Sequence, residues 1–225
     1  MLSLVIPTLQ AEAALPGTLA AVAAARAGGL VAEVILVDGG STDRTAAIAA
    51  AAGCRLLSAP RGRGGQLAAG AAAARGDWLL FLHADTSLAP GWEAAVACFI
   101  ADPANRQRAA AFRFALDDAS APARRLEALV AWRCRTFGLP YGDQGLLLAK
   151  SFYQALGGFR ALPLMEDVDL VRRIGRRRLT LLDVEAVTSA RKFRQGGYWR
   201  RPARNLGFLA LYFIGIPPRL LARFY

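Results

Sequence analysis

Histidine is nearly absent from this chain: His83 is the only one in 225 residues. Cysteine is scarce as well, and Cys54, Cys98 and Cys134 stand far apart with no Cys-x-x-Cys pair. That argues against a disulfide framework and against a zinc cluster, and it fits a reducing cytosol. No apolar run reaches the 18 residues of a membrane-spanning helix. The nearest, Leu206–Ile216, is eleven residues long and stops at Pro217-Pro218. The N-terminus has neither a charged n-region nor a long apolar h-region, so no signal peptide is expected. Lysine is also rare, since 26 of the 28 basic residues are Arg.

What is present is a globular composition, 55% hydrophobic and 20% charged, of a length suited to one domain with a sizeable core. The net charge of +11 is one-sided. Residues 1–120 hold 9 basic and 10 acidic residues, a net of −1; residues 121–225 hold 19 and 7, a net of +12. A basic half attracts phosphorylated substrates, anionic lipid or nucleic acid. Nucleic acid is the weakest of these, because the Arg clusters accompany no recognition motif.

The first half alternates short apolar strands with Ala-rich helices. Strands are predicted at Leu2–Pro7, Glu33–Val37, Arg55–Ser58 and Trp78–His83. Helices are predicted at Leu15–Ala27, Thr42–Ala52, Gly65–Ala74 and Gly91–Ala101. Four such units in series predict a largely parallel sheet with helices on both faces. The second half is less regular. Strands are expected at Ala111–Leu116, Gly145–Lys150 and Leu179–Leu182, and helices at Pro122–Phe137 and Val168–Gly175. A single domain is expected, divided into a donor half (1–120), an acceptor half (121–190) and a basic, apolar tail (191–225).

Open α/β sheets bind ligands beyond the carboxyl ends of their strands. Thr8, Asp38 and Asp85 fall at such ends. Asp38 opens Asp38-Gly39-Gly40-Ser41-Thr42-Asp43; helix capping accounts for Ser41, Thr42 and Asp43, and Asp38 is left to accept hydrogen bonds from a base or ribose. Arg61-Gly62-Arg63-Gly64-Gly65-Gln66 precedes a helix and could face a pyrophosphate, or be a surface loop. His83-Ala84-Asp85 reads as the end of a strand, with His83 and Asp85 on one side. Asp85 suits Mg²⁺ or Mn²⁺ with diphosphate oxygens and waters completing the shell. Gly142-Asp143-Gln144-Gly145 reads as a ligand-binding loop or a plain turn. Glu166-Asp167-Val168-Asp169 begins a helix, where acids favour the dipole and can raise one another's pKa, as a proton acceptor requires.

These pieces, in this order, resemble the family-2 inverting glycosyltransferases of GT-A fold, in a compact bacterial branch. The resemblance covers residues 2–175; Thr188-Ser189-Ala190-Arg191 matches the branch. It implies a three-layer α/β/α sandwich with a mostly parallel, mixed central sheet. It implies that Pro7, Thr8, Glu12, Asp38, Arg61 and Ala84 bind a UDP- or GDP-type sugar donor. Asp85 would be the metal-binding Asp of Asp-x-Asp, with Mn²⁺ or Mg²⁺ as cofactor, and His83 replaces the first Asp. Asp143, Gln144 and Glu166 would line the acceptor side, and Asp167 would be the general base. Two rivals are a sugar nucleotidyltransferase, which would normally carry a basic Gly-rich loop where Thr8–Glu12 stands, and a non-catalytic nucleotide-sugar-binding module.

The tail joins Arg191, Lys192, Arg194, Arg200, Arg201 and Arg204 to Tyr198, Trp199 and the apolar Leu206–Ile216. Two readings stay open: a helix packed on the core, or an interfacial segment that meets anionic lipid. The second places a cytoplasmic protein on the inner face of the plasma membrane, beside a lipid-linked or amphiphilic hydroxyl acceptor.

Overall fold

The computed structural model describes residues 1–224, and for Lys192, Gln195, Arg200 and Arg201 the backbone alone. The parts of the tail reading that rest on the side chains of Lys192, Arg200 and Arg201, or on Tyr225, lie outside the described residues.

The apolar runs of the first half form β1 (Leu2–Thr8), β2 (Val31–Asp38), β3 (Arg55–Ser58) and β4 (Trp78–Phe81). Between them lie α1 (Leu15–Ala27), α2 (Thr45–Ala51) and α3 (Arg63–Ala73). The chain continues through β5 (Thr86–Leu88), α4 (Trp92–Ala101), β6 (Ala109–Leu116) and α5 (Ala121–Phe137). It then forms β7 (Leu146–Ala149), α6 (Lys150–Ala155), α7 (Glu166–Ile174) and β8 (Leu179–Thr188). Three helices close it: α8 (Arg191–Gly196), α9 (Arg200–Phe213) and α10 (Pro218–Leu221).

All eight strands join one mixed sheet in the order β3-β2-β1-β4-β7-β6-β8-β5. The pairs β2–β3, β1–β2, β1–β4 and β6–β8 are parallel; β7 runs antiparallel to β4 and β6, and β5 antiparallel to β8. Every residue of β4 and β7 is buried, as expected of central strands covered on both faces. From β1 the chain winds one way to β2 and β3 and the other way to β4. The β1/β4 boundary is therefore the switch point where such sheets open a crevice. Helix α3 presses onto this region: a Cβ at Gly70 would lie 2.4 Å from Val5 Cγ1, so only glycine lets the helix come so close.

Three of the boundaries that differ from the sequence reading shape the region of the site. β4 ends at Phe81, so His83 is not a strand residue, and Ala84 and Asp85 form a turn. The chain turns there because β5 pairs with the end of β8, where the Thr86 and Thr188 hydroxyls bond at 3.0 Å. The strand expected to run to Lys150 stops at Ala149, because the Lys150 N–H donates to Asp77 O at 2.7 Å as α6 begins. β8 continues six residues past the expected end at Leu182. Its acids Asp183 and Glu185, which broke the apolar pattern, are each paired with Arg113 of β6 at 2.7 Å.

The C-terminal α9 is packed on one side only. Leu209 clusters with Met165 and Val168 of the α7 region, and Arg172 lies over the Phe213 ring at 4.8 Å. Leu206, Leu211, Phe213 and Ile214 stay exposed. No helix among the described residues is long and apolar enough to cross a membrane.

Candidate active site

Two groups of residues lie beyond the carboxyl ends of parallel strands. The first lies at the ends of β1 and β2. Thr8 and Asp38 are register partners, and the Thr8 hydroxyl donates to Asp38 Oδ1 at 3.1 Å. Asp38 also accepts from the Gly40 N–H at 3.0 Å, the Ser41 N–H at 2.7 Å and the Ser41 hydroxyl at 2.5 Å. Burial pushes this carboxyl up, but the bonds from Ser41, Gly40 and Thr8 outweigh it and hold the group below its ordinary value. The buried Gln66 amide donates to both Thr8 O and Val37 O at 2.8 Å, tying the two strand ends together. Pro7 is half-buried beside them; Glu12 is exposed on the next loop and accepts from the Arg44 N–H at 2.9 Å.

The second group surrounds a cavity of about 170 Å³. His83, Asp85, Asp143, Glu166 and Asp167 all line it, together with Arg63 and Thr188-Ser189. Residues 80 apart in the chain are thus brought to one wall. Asp85 is fixed there by its own carbonyl, which accepts from the Ser189 N–H at 3.4 Å. Neighbouring Ala84 accepts the Thr18 hydroxyl on its carbonyl at 2.8 Å, which anchors the turn to α1.

The loop carrying Gly142 and Asp143 is a 3-10 turn immediately before β7. Gln144 does not face the cavity. It is buried, and its amide donates to Phe112 O at 2.9 Å while its Oε1 accepts from Arg133 at 3.2 Å and from the Tyr141 N–H at 3.3 Å. Its place is beneath the loop, as a strut, rather than on the cavity wall. Asp143 is half-buried, yet its Oδ1 is sealed from solvent and has no hydrogen-bond partner. Burial first, and then the charges of Asp167 and Asp85, push this carboxyl up to about 6 against the pull of Arg133 and Arg63.

α7 brings the remaining acids. Its N-cap Met165 is held at φ +64°, a left-handed conformation that costs energy for a non-glycine residue, and such strain concentrates at functional sites. Asp167 accepts the Gly142 N–H on Oδ2 and the Val168 N–H on Oδ1, both at 2.8 Å. Each oxygen keeps a further lone pair for a ligand. Glu166 is buried, with the Arg63 guanidinium 3.3 Å from Oε1. Burial and the charge of Asp167 raise its pKa, opposed by Arg63. Asp169 belongs to the scaffold: it is buried and paired with Arg160 at 3.1 Å and Arg173 at 2.5 Å.

Arg61 is exposed on its loop, and Arg63, at the first position of α3, is the arginine of that motif on the cavity wall. Sequence reading passed over Tyr141, Phe193 and Asn205, which also line the cavity. Only tertiary packing brings Phe193 and Asn205 there, from α8 and α9.

Comparisons with known proteins bear on the family and the fold. Residues 3–105 match the family model of glycosyl transferase family 2. The PGL/p-HBAD biosynthesis glycosyltransferases of Mycobacterium bovis and Mycobacterium tuberculosis are 42% identical over 95 residues, covering 39% of this chain and 36% of theirs. The chain therefore spans about a third of the length of these curated relatives. Among solved structures, glucosyl-3-phosphoglycerate synthase from M. tuberculosis with Mn²⁺, uridine diphosphate and glucosyl-3-phosphoglycerate superposes at a TM-score of 0.64. It shares 22% identity, over 96% of this chain and 81% of that one. S. aureus TarS residues 1–349 also reach 0.64, at 16% identity over 84% of this chain and 60% of that one. These structural likenesses carry the fold, which is of GT-A type.

Proposed function

We propose, from the premise that this chain is a family 2 glycosyltransferase relative on a GT-A-type fold, that it moves a sugar from a nucleotide-diphosphate-sugar to an acceptor hydroxyl with inversion. The observation that carries this reading is the convergence of Asp85, Asp143, Glu166 and Asp167 on one cavity beyond the carboxyl end of β4. The nucleoside lies along Pro7, Thr8, Glu12 and Asp38, with Arg61, Arg63 and Ala84 toward the diphosphate. Asp167 takes the proton of the acceptor hydroxyl as that oxygen attacks the anomeric carbon. The bond from that carbon to the diphosphate breaks, and its electron pair leaves with the diphosphate. Attack opposite the leaving group inverts the centre.

Among the described residues, no group of three or more His, Cys, Asp or Glu side chains forms a ready-made metal cage. That fits a cation held by one carboxylate and the donor's own phosphates, the manner usual for Mg²⁺. Asp85 would hold it; both Asp85 and His83 line the cavity. Bound Mn²⁺ or Mg²⁺ supplies charge neutralisation to the departing diphosphate. A solved structure of glucosyl-3-phosphoglycerate synthase with Mn²⁺ and uridine-diphosphate-glucose supports a UDP-type donor here.

The direct test is a thermal-shift screen of UDP- and GDP-sugars with and without Mn²⁺, followed by product analysis on the stabilising donor. Stabilisation by one nucleotide-sugar that depends on Mn²⁺ is expected. No stabilisation by any of them sinks the reading; stabilisation with no transfer to any hydroxyl leaves a binding module instead.

A further inference from the structure

An apolar groove of about 680 Å³ lies between α5 and α9. Leu126, Val130 and Leu209 form its buried side. Trp132, Phe137 and Leu206 stand along it at 52%, 53% and 62% exposure, a cost in water that a covering ligand would remove. The volume falls in the range of small-molecule sites.

The groove adjoins the acidic cavity. Tyr141, Asp143, Phe193 and Asn205 line both. Two of these four carry buried oxygens with no hydrogen-bond partner, Asp143 Oδ1 and Asn205 Oδ1. Native proteins rarely leave such acceptors unpaired, so a pair of them at one junction calls for a ligand with donors. Arg133, the cation of the groove lining among the described residues, is already engaged: it lies 3.5 Å over the Tyr141 ring and donates to Leu139 O and Gln144 Oε1. The junction therefore suits a neutral hydroxyl head rather than a phosphate.

We propose that the groove holds the apolar body of an amphiphilic acceptor, whose hydroxyl-bearing head bonds to Asp143 and Asn205 and reaches the acidic cavity. The assignment rests on the reading of that cavity as the transfer site. A bilayer covering the exposed face would leave both orphaned oxygens unpaired; a chain of linked methylenes ending in hydroxyl satisfies groove and junction together.

The test uses the full chain and needs neither donor nor turnover. N-phenyl-1-naphthylamine is bound, and its fluorescence is titrated with straight-chain 1-alkanols from hexanol to decanol. Affinity is expected to tighten about fourfold per added methylene. Leu206→Glu and, separately, Trp132→Glu are expected to weaken decanol by about tenfold or more, since a charge on the wall repels an apolar chain. Both side chains are largely exposed, so at least one variant keeps the fold, checked by circular dichroism. Affinity independent of chain length, or unchanged in the folded variants, overturns the proposal. So does displacement of the dye by anionic vesicles but not by alkanols, which makes the face a membrane surface. Absence of sugar transfer by an alkanol-binding chain counts against the glycosyltransferase reading and leaves the groove as an amphiphile site whose occupant is not an acceptor.

Discussion

The backbone N–H of Gly142 donates to Asp167 Oδ2 at 2.8 Å, joining two segments 25 residues apart. The contact exists because position 142 has no side chain. A Cβ there would stand 2.6 Å from His83 Nε2 and 3.5 Å from Asp167 Oδ2. One small residue thus sets the distance between the β4 turn and the first turn of α7.

Gly142→Ala therefore shifts the loop or the His83 ring and loosens the carboxylate proposed to take the proton. Displacement of about 1 Å at a reacting group costs up to roughly 100-fold in rate. The variant is expected to lose about 10- to 100-fold in turnover while donor affinity holds within about threefold. His83→Gly in the same chain removes the obstruction and recovers part of the loss. Wild-type turnover in Gly142→Ala would refute the positioning role.

Asp167→Asn keeps the size of the side chain and removes its capacity to accept a proton. Turnover is expected to fall by about 100-fold or more, the scale of a lost general base, with donor binding retained. Isothermal titration with the donor and initial rates with the acceptor separate the two. A variant that still transfers near the wild-type rate moves the base elsewhere in the cavity, with Glu166 next in reach.

Much of this site was legible in the sequence, for a physical reason. Asp85, Asp143, Glu166 and Asp167 are charged residues next to apolar strands or at a helix start, where a carboxylate needs a purpose. Thr8 and Asp38 followed from the same rule, and the structure puts them at the joint end of β1 and β2. Gln144 was expected beside Asp143 on the acceptor side; a polar residue in a Gly-flanked loop reads equally well as a ligand or a strut, and the structure buries it beneath the loop, off the cavity wall. Arg63 rather than Arg61 reaches the cavity because α3 starts at Arg63 and Gly64 packs against the loop before α7; a Cβ at Gly64 would lie 2.3 Å from Arg160 O. β5, at three residues, is too short to carry a period. Phe193 and Asn205 left no local signal at all.

The strut role of Gln144 makes its own prediction. Gln144→Leu conserves bulk but strands Phe112 O and the Tyr141 N–H and frees one arm of Arg133. Leaving such groups unpaired is expected to cost about 1–3 kcal/mol, read as a lower urea midpoint with unchanged m. Unaltered stability together with a raised KM for the acceptor would instead place Gln144 among the ligand-binding residues.

Asp143 supplies the pH dependence. Its carboxyl is pushed up from 3.8 to about 6, chiefly by burial and then by Asp167 and Asp85. A raised folded-state pKa means that the folded chain holds this proton where the unfolded chain has released it. By linkage, stability then falls as pH rises from the unfolded value of 3.8 to the folded value of about 6, and the loss is complete above that window. Asp143→Asn cannot ionise and removes this contribution without changing the shape of the side chain. The difference in urea midpoint between variant and wild type should therefore shift in the variant's favour between about pH 4 and about pH 7. Measuring that difference cancels the other acids, including Asp38, whose lowered pKa works in the opposite direction. The comparison is made with chelator present, so that no added cation neutralises Asp85 and relieves the charge it imposes. A difference that stays constant across the window would mean that Asp143 is ionised in the folded chain throughout, and that Arg133 and Arg63 outweigh its burial.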